Sequence, residues 1–417
     1  MLLRLLSAGW GTIMIGASLA GAHQFQLGVE QSVRAQSNTF SSSLDPQPGG
    51  TYRVAPRVVF SGRLGEDGAG DYALSYQPSY SVYFDQDDVD HLDNKAIARS
   101  RIHLTRRDEV SASASYTEYQ AIQGLTQENE DGSFDVMAFD QGETVRSFAA
   151  LGYSRRSSAA SNLRLDLDFQ DYGYSDSANV GNKAVGATLS YTRAFNPKLI
   201  LGGSLVSRHR VFDAQEGVGS SEATIANVNV IGSYDLSESV VLEFEGGPTL
   251  IRTRPGDIVG FPKRDSDSVV TYFMDLSLAK NFRRAGMSLS YKRDEDASGG
   301  SARTSVRDAV SMSLHFEPDE FWRLTAVAGW NRRQSVDALY FFNSQTGSVD
   351  RRALEERLDR VWVGFGAQRE LGKRVGLILN FRYQRWIENE INGVPGPRQE
   401  NYSGSLSLSY DFHPYIF

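Results

Sequence analysis

Apolar side chains recur at every second position along most of this chain. The last such stretch, residues 405–412, alternates Ser or Asp with Leu406, Leu408, Tyr410 and Phe412. A two-residue period places the apolar side chains on one face of a β-strand and the polar ones on the other. About eighteen runs of this kind, separated by turn-forming residues, follow one another along the chain. The sequence therefore predicts an all-β protein.

The connections between these runs alternate in length. Short ones such as 106–108, 196–198 and 371–373 alternate with long polar ones such as 120–141 and 335–357. Outer-membrane barrels have short periplasmic turns and long extracellular loops. We therefore predict a single transmembrane antiparallel up-and-down β-barrel of about 18 strands, or of 16 if the first two runs lie outside it. A mean hydropathy of −0.37 is compatible with this, because only every second strand residue has to face lipid.

The N-terminus has the three parts of a secretory signal peptide. Arg4 supplies the positive charge, residues 10–19 form an apolar stretch, and Ala20-Gly21-Ala22 is an A-x-A cleavage site. An N-terminal membrane anchor is the alternative. We predict a signal peptide at 1–22, a barrel at 23–417 and a location in the bacterial outer membrane. The chain has no cysteine, which excludes a lipoprotein anchor, a disulfide and a thiolate metal site.

Charge and histidine usage argue against several other functions. The formal net charge of −8 argues against a nucleic-acid partner. None of the six histidines lies in a metal-binding spacing or after a G-x-S-x-G elbow, so we predict no metal, no cofactor and no enzymatic activity. The acidic segment 85–93 lacks the glycine and terminal glutamate of a calcium loop. It is predicted to be a solvated loop, or to meet lipopolysaccharide through bridging cations.

The polar faces of the strands are predicted to line the barrel interior. Two arginine-rich arcs flank an acidic one, and facing rows of opposite charge create a transverse field that favours polar or charged solutes. The alternative is that these residues pair with their neighbours and simply solvate the wall. The lumen-lining candidates are Arg99, Arg101, Arg146, Arg164, Asp166, Asp168, Glu243, Glu245, Asp275, Arg323, Arg360, Arg374 and Arg382.

The tripeptide Leu-Ser-Tyr recurs at 74–76, 189–191, 289–291 and 408–410. Tyrosine combines an apolar ring with a polar tip and settles at the membrane–water interface. General strand propensity is the alternative explanation. The tyrosines predicted to form an outward-facing girdle at the short-turn end are Tyr76, Tyr153, Tyr191, Tyr234, Tyr291 and Tyr410.

Two segments depart from the strand pattern. Residues 349–358 contain good helix formers and i,i+4 charge pairs, which predict a helix that either narrows the lumen or caps a loop. The tail His413-Pro-Tyr-Ile-Phe417 extends beyond the last strand. Either Phe417 is the residue read by the barrel-assembly machinery after a kink, or that signal lies within the chain.

Several of these features together resemble a known family. The signal, the Leu-Ser-Tyr strands, Tyr52-Arg-Val-Ala-Pro56, Phe195-Asn-Pro-Lys198 and the 405–412 ending resemble Gram-negative outer-membrane β-barrel porins of the type often associated with exopolysaccharide production. The resemblance implies a porin-like channel for small hydrophilic solutes or saccharides, linked to exopolysaccharide export. Its partners would be outer-membrane lipid, lipopolysaccharide and the barrel-assembly machinery.

A different function is compatible with the same barrel. The long loops 120–141 and 335–357 could be displayed by a non-conducting outer-membrane scaffold or adhesin. The sequence leaves the oligomeric state open.

Overall fold

The computed structural model describes most of the chain after residue 22. The described residues are 23–37, 48–65, 69–84, 90–121, 126–128, 134–136, 142–175, 180–214, 220–254, 256, 266–297, 304–335, 338–343, 348–353, 356–372, 374–391, 394–395 and 400–416. The predicted signal peptide, most of the acidic segment and Phe417 lie outside them.

The described residues form strands, and no helix among them is long and apolar enough to span a bilayer. The strands, in chain order, are β1 (His23–Gln36), β2 (Gly49–Leu64), β3 (Gly70–Tyr83), β4 (His91–His103), β5 (Asp108–Ala121), β6 (Thr126–Glu128), β7 (Phe134–Val136), β8 (Gly142–Ser158), β9 (Ser161–Tyr174), β10 (Asn182–Asn196), β11 (Leu199–Phe212), β12 (Ser221–Ser237), β13 (Val240–Arg254), β14 (Asp267–Asn281), β15 (Ala285–Ala297), β16 (Thr304–Phe316), β17 (Trp322–Ser335), β18 (Ala338–Asn343), β19 (Ser348–Ala353), β20 (Glu356–Glu370), β21 (Val375–Ile391), β22 (Val394–Pro395), β23 (Glu400–Asp411) and β24 (Tyr415–Ile416).

Eighteen of these strands close into one antiparallel barrel. They are β1–β5, β8–β17, β20, β21 and β23, each paired with its neighbours in chain order. Closure is made by β1, which pairs with β2 along one edge and with β23 along the other. Ser32, for example, lies opposite both Arg53 and Ser407. The predicted fold class is confirmed with 18 strands, and the 16-stranded alternative is wrong because β1 and β2 belong to the wall.

The connections alternate in length as predicted. Strands at one end of the barrel are joined by short turns such as 104–107, 159–160 and 197–198. At the opposite end the intervals are longer, with 122–141 and 336–355 the longest. The two short hairpins β6–β7 and β18–β19 lie within these two long intervals.

The helix predicted for residues 349–358 is wrong. Residues 348–353 form β19, which pairs with β18, and residue 356 begins β20. The segment Ala338-Leu-Tyr-Phe-Phe-Asn343, which precedes it in the chain, is rich in strand-forming residues and offers an extended partner. Cross-strand pairing with this partner outweighs a weak helix propensity, because an isolated helix of this length is marginal in water.

The tail beyond β23 rejoins the barrel. The Phe412 N–H still donates to the Leu27 carbonyl at 2.8 Å, and β24 then pairs with Gln24 and Phe25 of β1. His413 and Pro414 interrupt the ladder between them, as expected where proline lacks an N–H donor. The tail is thus a continuation of β23 after a break.

One face of the wall is apolar and the other is polar. On the polar face, side chains from strands that are not neighbours reach each other: Ser204 of β11 donates to Glu245 of β13 at 2.7 Å, and Arg57 of β2 contacts Asp411 of β23. Such contacts across an intervening strand identify this as the concave face. The opposite, convex face exposes large apolar side chains, including Phe195 and Val270.

Replacing Ser407 with proline should prevent the barrel from closing. Ser407 pairs with Ser32 on one side and with Ile378 on the other, so proline removes a donor at a position with no free edge. We expect Ser407→Pro to lose the heat-dependent mobility shift of a folded barrel on a detergent gel. Ser407→Ala, which keeps the backbone donor, should retain it, and a folded Ser407→Pro would contradict the closure.

Candidate functional site: the concave face of the barrel

The strand register arranges the polar residues in rows across the concave face. In the middle of the wall, Glu245 of β13 lies opposite Asp275 of β14, which lies opposite Lys292 of β15. Glu243 lies opposite Ser277 in the next row. The three residues of the predicted acidic arc, Glu243, Glu245 and Asp275, therefore form one compact group on two adjacent strands.

The register gives every predicted lumen-lining residue a position on the same face or, for Arg374, in the adjoining turn. Their role in a channel remains a prediction. The directly opposed positions are Arg99–Ser113, Arg101–Ser111, Arg146–Thr117, Arg164–Ser190, Asp166–Thr188, Asp168–Gly186, Glu243–Ser277, Glu245–Asp275, Arg323–Gln368, Arg360–Asn331 and Arg382–Gly364, while the Arg374 carbonyl accepts from Asp411 N–H.

A hydrogen-bonded network holds the acidic group. Asn229 donates through Nδ2 to both Glu245 (3.0 Å) and Ser204 (3.1 Å), and Ser204 donates to the same carboxylate oxygen. Ser277 donates more weakly to Glu243 at 3.3 Å. A cavity of about 370 Å³ opens beside these carboxylates and is lined by Glu243, Glu245 and Asp275 among others. Its volume is large enough to hold several water molecules or a small polar solute.

Arginine–aspartate pairs occupy the neighbouring part of the concave face. Arg164 contacts Asp166 on its own strand through two nitrogens, at 2.6 and 2.9 Å. Arg208 of β11 reaches over β10 to Asp168 of β9 at 3.4 Å. The position between them is Gly186, where an added Cβ would lie only 2.3 Å from an Asp168 oxygen. Absence of a side chain there gives the ion pair its room.

The same arrangement recurs where the barrel closes. Arg57 of β2 and Asp411 of β23 form a 2.7 Å ion pair that passes over Gly28 of β1. A Cβ at Gly28 would lie 2.7 Å from the Asp411 carboxylate. Neither the pairing of these two residues nor the role of the intervening glycine was predicted, since they are separated by most of the chain.

Some predicted arginines stack on aromatic rings in the wall. The Arg360 guanidinium lies 5.6 and 5.4 Å from the ring centres of Trp362 and Trp386, and its side chain is fully buried. Arg146 lies similarly over Tyr119 and Tyr172. Cation–π contact stabilises a desolvated arginine. For these two arginines the geometry favours the alternative interpretation, in which a charged side chain packs against its neighbours in the wall.

The six predicted girdle tyrosines have register positions on the convex face, but their hydroxyls point in different directions. Tyr153 donates to Asp108 at the short-turn end of β5. Tyr76 and Tyr291 donate to Asn94 and Asp308, which lie toward the long-loop end. A single ring at one membrane level remains a prediction.

The sequence reasoning missed a set of cation–aromatic pairs at the short-turn end. Arg193 lies over Phe195, Lys280 over Phe282, and Arg369 over Trp322. Phe195 and Phe282 are strongly exposed on the convex face. Aromatics and snorkelling cations are typical of a membrane interface. For the first two pairs, the available signal was a basic residue two positions before an aromatic at a strand end, as in Arg193-Ala-Phe195.

These features define a class of protein. A closed antiparallel barrel with an apolar convex face, a polar and charge-paired concave face and loops sorted by length has the architecture of a transmembrane β-barrel. Among the described residues, no group of three or more His, Asp or Glu side chains could hold a metal ion.

Comparisons with known proteins give matches only among solved structures. No family model and no curated protein matches the chain. The chain is similar to the FrpB iron transporter from Neisseria meningitidis (9% identity, TM-score 0.49, 93% of this chain and 82% of that one). It is also similar to the alcaligin outer-membrane receptor FauA from Bordetella pertussis (12%, 0.47, 92% and 76%) and to the siderophore receptor PiuA from Acinetobacter baumannii (8%, 0.49, 93% and 82%).

Removing Asn229 should destabilise the barrel. Its buried amide supplies the hydrogen bonds to Glu245 and Ser204, and Asn229→Ala would leave the partly buried carboxylate with one donor fewer. We expect a loss of about 1–3 kcal/mol in the free energy of unfolding, measured by urea titration of barrel folded into lipid vesicles. Ser277→Ala removes a longer, exposed bond to Glu243 and should cost clearly less. Equal losses for the two variants would contradict this account.

Proposed function

We propose that this protein is an outer-membrane channel through which small hydrophilic solutes diffuse. The observation that carries the proposal is the largely polar concave face of a closed 18-stranded barrel. Barrels of this size generally enclose an aqueous channel. The most extensive contacts among the described strands are between neighbours in the wall or within a short hairpin.

The proposed location rests on the convex face. Its large exposed apolar residues would be unfavourable in water, while a closed barrel leaves no unpaired sheet edge in lipid. In this orientation the short turns face the periplasm and the long intervals face outwards. The proposed signal peptide at 1–22 would direct export, and the barrel-assembly machinery would insert the chain.

Saccharides are a second solute class within the same proposal. The resemblance to porins associated with exopolysaccharide production is its source, and the hydroxyl- and carboxylate-rich cavity beside Glu243 and Asp275 is compatible with it. Swelling of vesicles in oligosaccharides of increasing length would distinguish a saccharide path from a path for small solutes alone.

Single-channel recording in planar bilayers tests the proposal directly. Correctly folded protein should give a steady, voltage-independent open conductance. Silence from folded protein that persists in variants with a widened lumen would overturn the channel and favour a scaffold that displays its long loops.

Reversing a charge on the concave face should change ion selectivity. Arg99 is an exposed arginine of this face, and a field from fixed charges raises the local concentration of counter-ions. We expect Arg99→Glu to shift the reversal potential in a salt gradient towards cation preference. Lys198→Glu, in the short turn 197–198 outside the lumen, is the matched control and should leave the potential unchanged. An equal shift in both variants would place the ion path elsewhere.

A further inference from the structure

The wall of the barrel is not uniform between β14 and β15. Pairing of β14 with β13 runs the length of the strand, up to Asp267 opposite Thr253. Pairing of β14 with β15 stops at Met274 opposite Arg293. Beyond that point β15 remains paired with β16 as far as Ala297 and Thr304. The long-loop end of the β15–β16 hairpin has therefore left β14 while staying intact as a hairpin.

The departing end approaches strands on the far side of β14. Arg208 of β11 lies 3.7 Å from the Glu295 carboxylate of β15. Four strand positions separate β11 from β15, which is roughly 19 Å along the wall at the usual spacing. Two side chains attached to such a wall could not meet. The hairpin end must fold inward over β14 to bring Glu295 to Arg208.

An apolar cluster also brings the end of the β15–β16 hairpin against β12 and β13. Ile225 of β12, Ile251 of β13 and Val306 of β16 form one buried cluster, with exposures of 0%, 1% and 7%. Ile225 and Ile251 lie directly opposite each other on the concave face, and Val306 lies directly opposite Glu295 in the hairpin. The ion pair and the apolar cluster are thus two parts of one interface between the hairpin and the wall.

The orientation of the hairpin is consistent with inward folding. Glu295 and Val306 share the strand face that, lower in the hairpin, carries Leu289, Tyr291 and Met312 on the outside of the barrel. Their packing against the inner face of β12 and β13 requires the hairpin to pass inside that wall. Its opposite face carries the Asp294–Arg307 ion pair at 3.0 Å, in which both side chains are largely buried.

We infer that the inward-folded end of the β15–β16 hairpin, held by Arg208–Glu295 and by Val306 against Ile225 and Ile251, is the constriction that sets which solutes pass. This inference rests on the proposed channel function. Arg208 is the positioning residue, because it contacts Asp168 of the wall and Glu295 of the hairpin at the same time. Asp294 and Arg307 form the ion pair that joins the two strands of the hairpin on its other face.

Cross-linking tests the position of the hairpin. The chain has no native cysteine, so Ile225→Cys with Val306→Cys introduces one defined pair. We expect it to oxidise to a disulfide in folded barrels, detected by a mobility change that reductant reverses. Ser288→Cys with Ser313→Cys, which lie opposite each other lower in the hairpin, is a matched control for cross-linking within the hairpin. A disulfide in the control pair alone would overturn the inward position.

Conductance tests the role of the constriction. Glu295→Gln with Val306→Ala removes the ion pair and weakens the apolar contact without adding bulk. We expect single-channel conductance to rise about two-fold or more and the size limit for solutes in vesicle swelling to increase. When Glu295→Gln is combined instead with Ile225→Cys and Val306→Cys, oxidation of the two introduced thiols should restore the native conductance, and reductant should raise it again.

The outcomes separate this inference from the channel proposal. Native protein that conducts, with variants of unchanged conductance and size limit, would overturn the constriction and leave the channel intact. A silent native protein with conducting variants would support the constriction as a closed gate. Silence in both, with a folded barrel on the gel, would overturn the channel and the constriction with it.

Discussion

Closure of the sheet is the constraint on which the other features depend. Every strand of the wall has a partner on each side because β1 pairs with β23, and β24 extends this seam beyond the break at Pro414. A bilayer offers no water to satisfy unpaired backbone groups, so only a closed sheet is stable there. Closure also separates a convex face from a concave one, and that separation converts a two-residue period into an apolar exterior and a polar interior.

Many charged side chains on the concave face have an oppositely charged partner or a hydrogen-bond donor. Arg57–Asp411 and Arg208–Asp168 each pass over a glycine, so that long side chains can meet across an intervening strand. The acidic group at Glu243, Glu245 and Asp275 has hydrogen-bond donors beside a cavity. Pairing of this kind agrees with the interpretation in which charged residues pair with their neighbours in the wall, while the field across the lumen remains a prediction.

Inward folding of the β15–β16 hairpin is the main departure from a regular barrel. It exchanges ladder hydrogen bonds with β14 for an ion pair with β11 and an apolar cluster on the inner face of β12 and β13. Buried contacts between non-neighbouring strands make the narrowing part of the packed structure rather than of an exposed loop. A channel narrowed in this way would depend on a few named side chains, chiefly Arg208, Glu295 and Val306.

The sequence by itself determined the strand period, the alternation of connection lengths and the faces on which Glu245, Asp275 or Tyr410 lie, because these are properties of each strand and its neighbours. The helix predicted at 349–358 failed because its competitor, β18, lies in a neighbouring segment whose pairing a local propensity does not include. The tertiary structure alone decided which distant charges meet, as in Arg57–Asp411 across the closing seam. The two-residue period places Glu295 and Val306 on the outward face, and only the tertiary structure shows that they turn inward. Their position depends on the point at which the β15–β16 hairpin stops pairing with β14. The periodicity of a strand determines which face each side chain lies on, whereas the curvature and closure of the sheet determine which distant side chains that face contacts.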